Sequence, residues 1–336
     1  MSGFLPVSSL RSLASFFTFA FCLFTFAFLH LPSVCAQTAE PVDRISIDTG
    51  LVDLNATVFS RSTKVIVGEL QQQDFAVFED GEPQQIEFFA TASTPFDLVL
   101  LIDLSGSTSE KLDLVRKSAR RFVEAARPTD RIAIYTFSDV PRLVAPLTSD
   151  RAELLARIKK IEKPKGGTNF WDALRFVLET VLSLDSSAAQ HPRRAVVVMT
   201  DAVDNALPDV PGEGSQTSFP ELLEIVRRSE TIVLPVYLDT EKEELERHRT
   251  PARAFELARK SLALIAVESG STVYYARKLK DLEGVYEQVI RDLSTVYSLG
   301  YRPANHERDG KWRAVTVQIV GRPALAVRTK RGYYAK

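Results

Sequence analysis

Hydrophobic and polar positions divide the chain into three stretches of different period. Over residues 43–94 the period is two. Val52, Leu54, Ala56 and Val58 alternate with Asp53, Asn55 and Thr57, as a half-buried strand requires. Phe75 and Val77 before, and Ile86 and Phe88 after, flank Asp80-Gly81, a dipeptide suited to a hairpin turn. From Phe96 the pattern changes. Residues 97–103 (DLVLLID) form a nearly continuous apolar run, and similar runs recur at 131–137 (RIAIYTF), 195–200 (AVVVMT) and 231–238 (TIVLPVYL). Strands buried on both faces read this way. Helical spacing separates the runs, first at Leu112, Val115, Ala119, Phe122 and Val123, then at Leu174, Val177, Leu178, Val181 and Leu182. This alternation predicts an α/β fold, a doubly wound, mostly parallel sheet with helices on both faces.

A last helix follows from the apolar stripe of Leu282, Val285, Tyr286, Val289, Ile290, Leu293, Val296 and Tyr297. Beyond it period two returns, with Val315, Val317 and Ile319 alternating and Leu325-Ala326-Val327 opening another strand. The expected organisation is a leader over 1–36, a β segment over 37–95, the α/β domain over 96–298 and a second β segment over 299–336. A few strands without a covering layer are marginal in water. The two β segments are therefore expected to form one small β-sandwich-like domain into which the α/β domain is inserted. In it Val315, Val317 and Ile319 face Val52, Leu54 and Val58.

The first 36 residues stand apart. Arg11 is their only charged residue, and an apolar, Phe-rich run over 13–31 follows it. Pro32-Ser33-Val34-Cys35-Ala36 then leads into polar Gln37-Thr38. A basic start, an apolar run and small residues before a polar stretch read as a secretory signal cut after Ala36. The run approaches membrane-spanning length, so an uncleaved anchor is the alternative. Cys22 and Cys35 both fall in this leader, so the exported chain has no disulfide and no thiol chemistry. The protein is expected to be periplasmic or secreted, touching a membrane only if the leader is retained. A formal net charge of −1 provides no basic excess for nucleic acid.

Candidate chemistry sits at strand ends. The run 97–103 closes on Asp103-Leu104-Ser105-Gly106-Ser107. In open parallel sheets ligands bind at the carboxyl ends of strands. One carboxylate and two hydroxyls there offer hard oxygen donors, which suit Mg²⁺ or a similar cation. Alone, the pattern is equally that of a polar turn capping a helix through Ser107 or Ser109. Two further signals share its edge. Lys165-Gly166-Gly167-Thr168-Asn169 is a tight loop presenting Thr168, and 196–201 (VVVMTD) is a buried run ending in Asp201.

The order D-x-S-x-S, then G-G-T, then a strand ending T-D resembles the metal-ion-dependent adhesion site of von Willebrand factor type A domains. The resemblance covers about residues 96–298. The flanks are similar to an exported bacterial group of type A-related proteins known mainly from acidobacteria, through Asp74-Phe75-Ala76-Val77-Phe78-Glu79-Asp80-Gly81 and Arg328-Thr329-Lys330-Arg331-Gly332-Tyr333-Tyr334. The resemblance implies that Ser105, Ser107 and Thr168 bind the metal directly, and Asp103 and Asp201 directly or through water. The metal it implies is Mg²⁺, with Mn²⁺ or Ca²⁺ as alternatives. It also implies a protein partner whose Asp or Glu completes the shell, and a last helix, 280–297, that shifts when the shell changes. Asp204 is a candidate for supporting the ligands. The chain departs from the pattern at Ala202, where many members carry glycine.

An enzyme is the rival reading. A phosphatase of the haloacid dehalogenase type needs a second acid where this chain has Ser105. No phosphate-binding G-x-x-x-x-G-K-[ST] loop and no G-x-S-x-G elbow occurs. His30, His191, His248 and His306 are scattered rather than paired at zinc spacing, and Trp171 and Trp312 read as packing residues. The other rival is a structural envelope module that keeps the fold and has lost the metal. The leader generates a direct prediction. N-terminal sequencing of the protein from an envelope fraction is expected to begin at Gln37; recovery of the full-length chain from membranes favours the anchor.

Overall fold

The computed structural model describes residues 50–335, apart from 92–93, 107–111, 163–165, 183–192 and 248–249. The leader and its cut lie outside the described residues. Among those described, no helix is long and apolar enough to cross a membrane.

In chain order the strands are β1 (Val52–Ser60), β2 (Phe75–Glu79), β3 (Glu82–Gln84), β4 (Ile86–Ala90), β5 (Phe96–Asp103), β6 (Arg131–Phe137), β7 (Pro141–Thr148), β8 (Arg193–Thr200), β9 (Ile232–Leu238), β10 (Tyr274–Ala276), β11 (Tyr297–Tyr301), β12 (Trp312–Ile319), β13 (Leu325–Arg328) and β14 (Gly332–Tyr334). The helices are α1 (Leu112–Ala125), α2 (Arg151–Ile158), α3 (Phe170–Phe176), α4 (Phe219–Arg228), α5 (Glu241–Glu246), α6 (Ala252–Glu268) and α7 (Leu282–Leu293).

The apolar runs build a six-stranded sheet in the order β10-β9-β8-β5-β6-β7. Its strands are parallel except β7, which turns back antiparallel along β6. Successive side chains of a strand point to opposite faces. Leu98, Leu100 and Ile102 accordingly join one core with α1, α2 and α7, while Val99 and Leu101 join another with α3, α4 and α6. Asp97 is buried within β5, and its register partner Arg131 grips it at 2.6 Å and 2.8 Å.

The flanks interleave. One four-stranded sheet runs β13-β1-β11-β4 and the other β14-β12-β2-β3. They share a core in which Val315 and Val317 meet Val52, Leu54 and Val58, with Ile319 packed at its margin. Two details differ from the sequence reading. The Asp80-Gly81 turn, with both φ angles positive, joins β2 to the short β3, while Ile86 starts a strand of the other sheet. The last helix stops at Leu293 instead of running to Tyr297. There Ser294 and Thr295 bond back to the carbonyls of Ile290 and Asp292, and Tyr297 is taken by antiparallel pairing with β1. β11 thus spans the boundary expected at residue 298.

Both crossings between the flanks and the α/β layer meet at one side chain. Arg193 donates to the carbonyls of Thr94 and Val296, and its guanidinium lies 4.0 Å over the Phe96 ring. An insertion with adjacent ends has this arrangement, and it generates a test. Deleting residues 299–336 removes most of β11 and all of β12, β13 and β14. Residues 50–91 are then expected to become protease-sensitive while residues 96–298 stay resistant. Continued protection of residues 50–91 means that the flanks fold separately.

Candidate functional site

β5 and β8 lie side by side in parallel register, with Ile102 opposite Met199. Asp103 and the Thr200-Asp201 pair therefore emerge together at the carboxyl edge of the sheet. The contacts make this explicit. Thr200 Oγ1 donates to Asp103 Oδ2 at 2.6 Å, and the Ser105 amide donates to Asp103 Oδ1 at 2.8 Å. Asp201 Oδ2 accepts from the Thr240 hydroxyl at 2.7 Å, and its Oδ1 accepts from the Val203 amide at 3.2 Å. The Leu104 amide bonds the Phe137 carbonyl, which fixes the turn after β5 against the end of β6.

Thr168 reaches the same edge on its glycine loop. Its amide donates to Asn205 Oδ1 at 3.2 Å, and its carbonyl accepts from the Asn205 amide at 2.9 Å. The loop has no room for side chains. A Cβ at Gly166, where φ is +141°, would strike the Asp139 carboxylate, and one at Gly167 would strike the Asn205 amide group. Asp139 in turn accepts from the Gly167 amide, so the tip of the β6–β7 hairpin anchors the loop.

Asp103, Ser105 and Asp201 thus stand at the ends of β5 and β8, and Thr168 is tied to Asn205, four residues after Asp201; all four are buried with at most 7% of their surface exposed. Ser107 lies outside the described residues. Asp204 supports the site from below, where Oδ2 accepts from the Trp171 amide at 3.0 Å and the Ser215 hydroxyl at 2.6 Å. It thereby holds the start of α3, the helix that follows Thr168. Thr200 entered the sequence reading only as part of the strand-ending T-D pattern, and its bond to Asp103 depends on β5 being the neighbour. Sequence reasoning missed Thr240 and Asn205, which are set by the tertiary fold.

The electrostatics follow from burial. Asp103 is pushed up to about 7, first by removal from water and then by the charge of Asp201, against the hydrogen bonds from Thr200 and Ser105. Among the described residues no group of three or more His, Cys, Asp and Glu could hold an ion. Carboxylates number only two here, and the other donors are hydroxyls. An all-oxygen set with two acids fits a hard divalent cation.

Ala202 explains what the missing glycine costs. It sits at φ 57° with 1% of its surface exposed. A left-handed alanine costs about 1–2 kcal/mol, and the buried methyl returns about 0.8 kcal/mol of that.

Residues 98–203 match the family model of the von Willebrand factor type A domain. No curated protein matches the chain. Among solved structures, proximal thread matrix protein 1 from the mussel byssus, with a zinc-occupied MIDAS motif, is 16% identical at a TM-score of 0.43, over 64% of this chain and 50% of that one. The vWF domain of the type V pili tip protein Mfa5 from Porphyromonas gingivalis is 15% identical at 0.44, over 60% and 95%. The pilus adhesin SpaC from Lactobacillus rhamnosus GG is 12% identical at 0.45, over 82% and 49%. The chain spans about half the length of the mussel and Lactobacillus proteins.

A prediction follows for the turn after Asp201. Ala202→Val is expected to destabilise the protein by about 2–3 kcal/mol in chemical denaturation, because a β-branched residue adds overpacking to a strained φ. Ala202→Gly is expected to stay within about 1 kcal/mol of the parent. A harmless valine would contradict this account of the turn.

Proposed function

We propose, for a chain that carries a von Willebrand factor type A domain over residues 98–203, that the notch at the carboxyl edge binds one divalent cation and through it captures an acidic side chain of a protein partner. The observation that carries the reading is the pair of buried carboxylates, Asp103 and Asp201, at neighbouring strand ends, with Ser105 and Thr168 held beside them. Ser105, Ser107 and Thr168 would hold the ion directly, and Asp103 and Asp201 directly or through water. A bound Mg²⁺, or Mn²⁺ or Ca²⁺, supplies a positive centre that favours an incoming carboxylate.

The residues of the chain do the positioning. Thr200 and the Ser105 amide fix the Asp103 carboxylate, and Thr240 and the Val203 amide fix that of Asp201. Asn205 and Asp139 pin the loop that presents Thr168. These contacts orient the two acids. Export, periplasmic or secreted, belongs to the same proposal and rests on the leader sequence. Movement of the last helix must be absorbed within residues 294–296, because β11 is held by β1 on one side and β4 on the other.

Calorimetry is expected to give about one Mg²⁺ or Mn²⁺ per chain with weak to moderate affinity, since few donors are charged and Mg²⁺ gives up its water reluctantly. Asp103→Ala is expected to abolish that heat while circular dichroism remains native. Affinity capture from envelope extract should yield a partner in Mg²⁺ that EDTA releases. Equal metal binding by Asp103→Ala would refute the site, and a complex that survives EDTA would refute bridging by the metal.

A further inference from the structure

Two buried oxygens of the α/β layer have no hydrogen-bond partner among the described residues: Ser138 Oγ and Asn169 Oδ1. The other two such oxygens, of Ser298 and Thr329, lie in or beside the flanking strands. Ser138 is 2% exposed. Asn169 is half-buried as a residue, while its Oδ1 is shut away from solvent. A buried polar oxygen left unpaired is costly, and folds keep few of them.

Both residues belong to the carboxyl edge. Phe137, the last residue of β6, pairs with Asp103, and its carbonyl accepts from the Leu104 amide at 2.9 Å. Ser138 follows it, about 4.8 Å from Leu104, one strand spacing. Leu104 in turn precedes Ser105. On its other side the Ser138 carbonyl accepts from the Asn169 amide at 2.9 Å, and Asn169 follows Thr168. Ser138 therefore joins the turn that carries Ser105 to the loop that carries Thr168.

Asn169 occupies a capping position but does not cap. An asparagine just before a helix ordinarily accepts from an amide of the first turn. Asn169 precedes α3 and makes no such bond. Asp204 Oδ2 takes the Trp171 amide at 3.0 Å, and Ser215 Oγ takes the Asp172 amide at 3.1 Å. Oδ1 is thereby released. Trp171 Nε1 is also buried without a partner among the described residues, but it only donates and cannot serve a cation's water. The acids, for their part, are engaged: each of the four carboxylate oxygens of Asp103 and Asp201 already accepts from a protein donor. Mg²⁺ usually keeps several of its waters, and water on a cation is a strong donor that needs acceptors.

We infer that Ser138 and Asn169 are positioning residues of the cation site, whose Oγ and Oδ1 accept hydrogen bonds from water carried by the bound ion. The inference rests on the metal reading of the notch. It adds two acceptors to that site without adding charge, so the ion stays electron-poor toward the partner's carboxylate.

Mg²⁺ calorimetry on the full chain, paired with chemical denaturation in EDTA, tests it. Ser138→Ala and Asn169→Ala are each expected to weaken Mg²⁺ binding about tenfold, the lower end of what loss of an outer partner costs a metal site, with the stoichiometry unchanged. In EDTA, Ser138→Ala is expected to unfold at the same denaturant concentration as the parent or a higher one, because it removes an unpaired hydroxyl. Asn169→Asp keeps an acceptor in place and is expected to bind Mg²⁺ at least as tightly as the parent. A residue that merely supports the fold would show the reverse, a loss of stability in EDTA with the affinity kept. The inference is overturned if either alanine variant binds as tightly as the parent, if Ser138→Ala is destabilised in EDTA, or if Asn169→Asp is as weak as Asn169→Ala. Those results leave the metal reading standing as long as Asp103→Ala abolishes binding. A parent that binds no Mg²⁺ sinks both.

Discussion

Two carboxylates buried at the ends of neighbouring parallel strands are the constraint around which this molecule is organised. Taking a carboxylate out of water costs several kcal/mol, and a like charge beside it adds to the cost. Asp103 bears both penalties, which is why its proton is held up to about 7. The surrounding structure offsets them with aimed donors: Thr200 and the Ser105 amide on one acid, Thr240 and the Val203 amide on the other. Thr200 ends β8 and the other donors come from turns at the carboxyl edge, so the residues that close this edge are committed to holding acids in place. Proteins retain such arrangements at positions where charge is used.

The rest of the fold keeps that edge rigid. The apolar runs of β5 and β8 form a sheet covered on both faces, and their register sets Asp103 beside Thr200 and Asp201. At the opposite edge, Arg193 at the start of β8 bonds the backbone at both crossings into the flanking sheets. In those sheets, buried Glu79 of β2 accepts from the hydroxyls of Tyr301 and Tyr333, at 2.7 Å and 2.9 Å. One carboxylate thus joins a strand from before the α/β layer to two strands from after it. The strand that leaves the last helix, β11, is the one fixed in this way.

Much of this was legible in the sequence because it follows from periodicity. The four apolar runs gave the central strands, and the alternation of Val52, Leu54 and Val58 with that of Val315, Val317 and Ile319 gave the shared core of the flanks. Asp103, Ser105 and Asp201 could be proposed because they end or follow buried runs, and Thr168 because two glycines precede it in a loop that fits the same motif. What was hidden depends on neighbours in space. The helical stripe through Val296 and Tyr297 continues the 3.6 period, yet pairing of Tyr297 with Ala56 overrides it. β7 carries two prolines and no clean alternation, and it is a strand because β6 offers an edge. The departure at Ala202 was visible as a missing glycine, and its positive φ supplies the physical consequence.

The central claim is that the two acids and their hydroxyl neighbours share one divalent ion. Crystals of the full chain grown or soaked with Mn²⁺, with data collected at a wavelength where manganese scatters anomalously, address it directly. The expected result is a single strong anomalous peak at the carboxyl edge, among the side-chain oxygens of Asp103, Ser105, Thr168 and Asp201, that EDTA removes. A notch without a peak at saturating Mn²⁺, or a peak only at surface carboxylates elsewhere, would contradict it.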